Sequence, residues 1–100
     1  MDIKDKNILI VGLGVVGGSY AMALTAAGYK NVYAVNRSEA SLKKAVQAGI
    51  VKGGSVNIEN FAAKADIAVI AVYPTGAEEC ARKLGAVMKK GSLVTDVLGI

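Results

Sequence analysis

Apolar residues fall along this chain in short runs that alternate with stretches of helical period. The first run, Asn7 to Val11, is short and β-branched and reads as a buried strand. From Gly14 the period changes. Gly17, Ala21, Leu24 and Gly28 recur at spacings of four, three and four, which stacks small residues on one helical face, and Gly28 serves as the stop. Asn31 to Val35 predicts the second strand. Ser38 can cap the next helix, with Glu39 in its first turn, Leu42, Ala45 and Val46 as its apolar stripe and Gly49 just past its end. Residues 50–56 hold two competing signals: Ile50-Val51 predicts the start of a third strand, and Gly53-Gly54 predicts its break.

A brief helix over residues 59–64 would bury Phe61 and Ala62, and Asp66 then introduces the continuous apolar run 67–72, expected to be a central parallel strand. Thr75 and Glu78 have the T-x-x-E spacing of a capping box. The helix they open would bury Ala77, Ala81, Leu84 and Met88 and close at Lys89-Lys90-Gly91. Cys80, on or near that face, reads as a packed thiol. Ser92 to Val97 is the last strand. Strand-helix alternation of this kind predicts a single α/β domain over residues 1–100, with a Rossmann-type doubly wound parallel sheet.

The charge-free window 8–29 has the length of a membrane span, yet Gly12, Gly14, Gly17 and Gly18 would each weaken a lone helix by about 1 kcal/mol relative to alanine. Ala21-Met22-Ala23 fits a signal cleavage site, but Lys4 and Lys6 are offset by Asp2 and Asp5, so a basic leader is missing. No membrane partner is expected. The net charge of +4 is spread among acids, which describes a solvated surface rather than a nucleic-acid groove. One cysteine permits no internal disulfide and points to a reducing cytoplasm. With no histidine, neither a metal constellation nor the commonest acid/base group is expected.

Gly12-Leu13-Gly14-Val15-Val16-Gly17 is G-x-G-x-x-G between a predicted strand and a predicted helix, the context that motif requires. Gly12 allows the tight turn, Gly14 leaves room for a pyrophosphate and Gly17 permits close helix packing, while free N–H groups at the helix start attract phosphate. At the end of the second strand an acidic residue usually reads the ribose of NAD. Here Asn36-Arg37-Ser38 stands instead. Asn36 can bond the ribose without repelling a phosphate, Arg37 offers a planar fork for it, and Ser38 adds a hydroxyl or merely caps the helix. NADP is therefore favoured over NAD. In open parallel sheets the reacting ring lies beyond the carboxyl ends of the strands, beside Val72, Tyr73, Pro74 and Asp96. Tyr73 either contacts the cofactor or covers the strand end; Pro74 either shapes the loop or starts the helix; Asp96 is a substrate-side carboxylate or a cap.

"ILIVGLGVVGGSYAMAL", the Ala71-Val72-Tyr73-Pro74 loop and "GSLVTDV" at residues 91–97 resemble, in order and spacing, the amino-terminal cofactor domain of the prephenate and arogenate dehydrogenase family. Gly17-Gly18-Ser19 is the most specific part of the match. The resemblance implies oxidation and decarboxylation of prephenate or arogenate in tyrosine biosynthesis, with hydride passing to NAD(P), in a homodimeric enzyme. Two departures stand out. The family's catalytic histidine and helical substrate domain have no counterpart here, and Leu98-Gly99-Ile100 replaces a Gly-Ser turn followed by lysine. These 100 residues are thus expected to hold cofactor without catalytic residues of their own and to meet a small-molecule substrate only with a further domain. The rival readings are a reductase of the pyrroline-carboxylate or β-hydroxyacid type and a non-catalytic dinucleotide sensor.

Overall fold

The computed structural model describes residues 3–72 and 74–96. After a 3-10 turn at Ile3–Asp5, the order is β1 (Asn7–Val11), α1 (Val15–Ala26), β2 (Asn31–Val35), α2 (Glu39–Gln47), β3 (Gly53–Ser55), α3 (Glu59–Ala62), β4 (Ile67–Ile70), α4 (Pro74–Val87) and β5 (Leu93–Asp96). The strands form one sheet in the order β3-β2-β1-β4-β5, every pairing parallel. Chain order reverses direction beside β1, so the crevice at its carboxyl end is the topological switch point. The domain is an α/β, Rossmann-type fold, as the alternation predicts.

Both faces of the sheet are covered, which is why its strands are apolar without polar alternation. Leu9, Val11, Val35, Ala68 and Ile70 point to one side, where Ile58, Ala62 and Leu84 of the α3 and α4 layer meet them. Ile8, Ile10, Val32, Ala34 and Val69 point to the other, against Ala21 of α1 and Leu42 and Ala45 of α2. Tyr33 stacks on Phe61 with ring centroids 4.9 Å apart. At the amino edge of the sheet, the Asp66 carboxylate accepts from the Asn7 amide at 2.8 Å and pairs with Lys89 at 2.6 Å. Lys89, then the Asn7 amide, hold the Asp66 carboxyl below its ordinary range against the opposing effect of burial.

Several sequence expectations are corrected. Ile50-Val51 does not open the third strand; Gly53 and Gly54 are in it, and Val51 is a buried core residue ahead of it. Gly54 sits where α2 comes close, a Cβ there falling 2.6 Å from Leu42 Cδ2 and 3.0 Å from the Ala34 carbonyl oxygen, so the small residue suits the strand. β4 ends at Ile70 rather than at Val72, since Ala71 and Val72 bend over the glycine loop, although the Ala71 amide still donates to the Val11 carbonyl at 2.8 Å. The third helix is shorter, closing at Ala62. Val46 and Ala81 are exposed, and the buried side of α4 runs through Cys80, Leu84 and Met88, at i, i+4 and i+8. That helix starts at Pro74, so Thr75 lies inside its first turn rather than at the cap position its T-x-x-E spacing suggests. Among the described residues no helix is long and apolar enough to cross a membrane.

Candidate functional site

β1 delivers the chain into a turn that only glycine tolerates. Gly12 has φ of +99°, and a Cβ there would come within 2.8 Å of the Ala71 carbonyl oxygen and 2.9 Å of Val72 Cγ1. Its amide extends the sheet ladder by donating to Val35 at 2.7 Å. Gly17, one turn into α1, is buried directly against the Gly12 carbonyl, where a Cβ would overlap the oxygen. The two glycines thus set the loop by contact with backbone.

Between them lies the opening. Gly14 is the N-cap of α1, makes no side-chain cap and has open space where a Cβ would project. The first turn of α1 contains no acidic residue, and its leading amides have no acceptor one turn back. Donors, helix dipole and bare backbone suit an anion, and together they fit a dinucleotide's diphosphate. Leu13 is partly buried and packs toward the α1 and α2 core, while Val15 is 89% exposed and Val16 38% exposed.

Asn36 joins this loop to the end of β2. Its Oδ1 accepts from the Leu13 amide at 3.1 Å, and its own amide donates to the Ser55 carbonyl at 3.2 Å. Because Leu13 is the donor, the Asn36 carboxamide nitrogen is left facing elsewhere, as a donor for a ribose or phosphate oxygen. Arg37 follows and is exposed. Ser38 is the N-cap of α2, its hydroxyl accepting from the Ser41 amide at 3.2 Å, so its capping role is realised.

Gly12, Gly14, Asn36, Arg37 and Val72 line one groove of about 660 Å³ at the carboxyl edge of the sheet. Of the other expected site residues, Pro74 begins α4 and Asp96 ends β5, and neither is among the described residues lining the groove. Tyr73 lies outside the described residues. The groove has walls that the sequence reading did not assign: Val56, Asn57, Ile58 and Glu59 on one side, and Glu79, Cys80 and Lys83 of α4 on another. Ser55 shapes the first of these, its hydroxyl accepting from the Asn57 amide at 3.0 Å and from Asn60 Nδ2 at 2.7 Å. The signal for that wall was topological, since parallel pairing of Val35 with Ser55 places whatever follows β3 beside Asn36.

Cys80 is partly buried and packed against the core. Burial and then Glu79 raise its thiol above the ordinary range, while Lys83 and Arg37 oppose them. It is a poor nucleophile in this setting. A smaller cavity of about 110 Å³, beside Asn7, Tyr33, Phe61 and Lys64, has no room for a dinucleotide. No cluster able to hold a metal ion occurs among the described residues.

Comparison with known proteins agrees with this geometry. The prephenate dehydrogenase of A. aeolicus, solved in complex with hydroxyphenyl propionate and NAD+, is similar at 31% identity and a TM-score of 0.84, over 96% of this chain and 34% of that one. The arogenate dehydrogenase of Synechocystis is similar at 26% identity and a TM-score of 0.84, over 91% of this chain and 32% of that one. Lactate dehydrogenase of Eimeria maxima, at 13% identity and a TM-score of 0.69 over 97% of this chain and 37% of that one, shares the fold. The chain therefore spans about a third of the length of these solved relatives. No curated protein gives a significant sequence match. Residues 7–99 match the family described as NADP oxidoreductase, coenzyme F420-dependent. With its nicotinamide-dinucleotide fold and its likeness to prephenate and arogenate dehydrogenase cofactor domains, the chain belongs to that oxidoreductase family.

Proposed function

We propose that this chain is the cofactor-binding part of a prephenate or arogenate dehydrogenase and that it prefers NADP(H). The observation that carries the reading is one groove combining an uncapped helix start at Gly14 with Asn36 and Arg37 at the end of β2. When bound, the nicotinamide accepts or gives hydride. The protein's own residues hold and orient it: the amides at the start of α1 take the diphosphate, Gly14 admits it, and the Asn36 carboxamide and Arg37 guanidinium take the adenosine ribose and its phosphate. Val15 and Val16 contribute through their amides, and Val72 borders the nicotinamide end; by their place in sequence Tyr73, Pro74 and Asp96 are assigned there too, each with a structural role as the alternative.

The described groove offers Arg37, Glu59, Glu79, Cys80 and Lys83 as titratable groups and no histidine; in this reading the acid/base group for substrate oxidation is supplied by the further domain that the family resemblance implies. In this reading the complete enzyme is a cytoplasmic homodimer serving tyrosine biosynthesis. The test is calorimetric titration of the folded chain with NADPH and NADH, together with Arg37→Met. NADPH should bind more tightly, and Arg37→Met should reduce that preference by roughly tenfold, the scale of one charge-assisted contact. Tighter binding of NADH would overturn the NADP preference. Silence with both nucleotides would overturn the cofactor role altogether.

A further inference from the structure

We propose that Lys83, on α4, is a second cation that reads the 2′-phosphate across the groove from Arg37, and that Glu79 sets how strongly it does so. The inference rests on the NADP reading above and extends it to residues on a different element. Arg37 stands at the end of β2 and Lys83 on α4, yet both line the same groove. Leu84, fully buried beneath α4, and Met88 one turn further fix which side of the helix faces the core. Glu79 and Lys83, one turn apart, are thereby held at the groove.

Charge balance gives Lys83 its importance. The described groove residues include two cations, Arg37 and Lys83, and two carboxylates, Glu59 and Glu79. Without Lys83 a single guanidinium would face two carboxylates, a poor setting for a phosphate monoester carrying about two negative charges at neutral pH. With Lys83 the phosphate can meet positive charge from both walls. Cys80 lines the same groove as both cations.

Lys83 is free to make the exchange. Its ion pair is with Glu79 at 3.4 Å, with side chains 55% and 63% exposed, the type of solvated i, i+4 contact that contributes little and is readily traded for a phosphate. Arg37 has no ion pair among the described residues. Glu79 therefore acts as the resident competitor: it occupies Lys83 when no phosphate is present and repels the phosphate when one arrives.

Dissociation constants for NADPH and NADH, measured on the unaltered chain, Lys83→Met and Glu79→Gln over a salt series, test this. Lys83→Met should weaken NADPH by about fivefold to tenfold and flatten its salt dependence, leaving NADH within about twofold. Glu79→Gln should tighten NADPH about threefold. Equal weakening of both nucleotides by Lys83→Met would mean that the side chain packs on the shared adenosine, and the proposal would fail. An unchanged NADPH preference would also overturn it while leaving the cofactor role intact. Absence of binding by the unaltered chain would instead remove the cofactor reading and this inference together. Both side chains are exposed, so thermal melts should coincide and show that folding is preserved.

Discussion

The two ends of the groove are built from different materials. At the glycine-loop end the wall is main chain, placed by Gly12 and Gly17 where side chains cannot fit. At the other end it is made of exposed side chains, Arg37 and Lys83, the pair to which the proposals above give the ribose phosphate. A main-chain site is inseparable from the fold, whereas a side-chain site can be retuned without disturbing it. Asn36 bridges the two, since its Oδ1 holds the loop amide of Leu13 while the residue itself lines the groove.

The contrast breaks most visibly at Gly17. Gly17→Ala drives a methyl group into the Gly12 carbonyl, so it should cost at least about 2 kcal/mol in denaturant unfolding and abolish binding of both nucleotides alike. Asn36→Ala should have the next largest effect, leaving the part-buried Leu13 amide without its acceptor, costing about 1 kcal/mol and weakening both nucleotides. Asn36→Asp sharpens the division: it keeps the acceptor, so stability should return, while its charge should turn the preference toward NADH. Comparable affinities in the Ala and Asp variants would show that the bond to Leu13 is incidental.

Asp66 provides a control at the opposite edge of the sheet. Its folded carboxyl is depressed below the unfolded value of about 3.9, so its contribution is present above that value and is lost as pH falls through the folded value. Asp66→Asn should therefore lower stability by roughly 0.5–1 kcal/mol at neutral pH, the Lys89 partner being half exposed, and the difference from the unaltered chain should shrink in acid. Nucleotide preference should stay unchanged. A shift in the NADPH to NADH ratio would mean that the two edges are coupled.

The sequence was most legible where one periodicity dominated. Asn7–Val11 and Asn31–Val35 are strands with the expected bounds, and α1 starts after Gly14 with Gly17 and Ala21 buried. β3 was hidden because glycine signals a break locally, whereas Gly54 is favoured by the close approach of Leu42 and the Ala34 carbonyl. The rotation of α4 was equally hidden. Ala81 fits either a core or a water-facing row, so only tertiary packing turns it outward and Cys80 inward, while the side chain of Ala77 lies outside the described residues. In the groove, the glycine loop and Asn36-Arg37 were readable from spacing. Glu79 and Lys83 were not, because an i, i+4 charge pair looks the same on any solvated helix, and the wall at 56–59 follows only once β3 is known to lie beside β2.

The Gly12 turn presses on Ala71 and Val72 so tightly that the bends after β1 and β4 interlock as a single moulded piece. Grafting the glycine-rich turn into another scaffold would then require carrying the neighbouring bend with it. Conversely, lengthening either bend by one residue would dislodge the other, so substitutions that retune cofactor choice have freer scope at the rim of the second strand than at this packed turn.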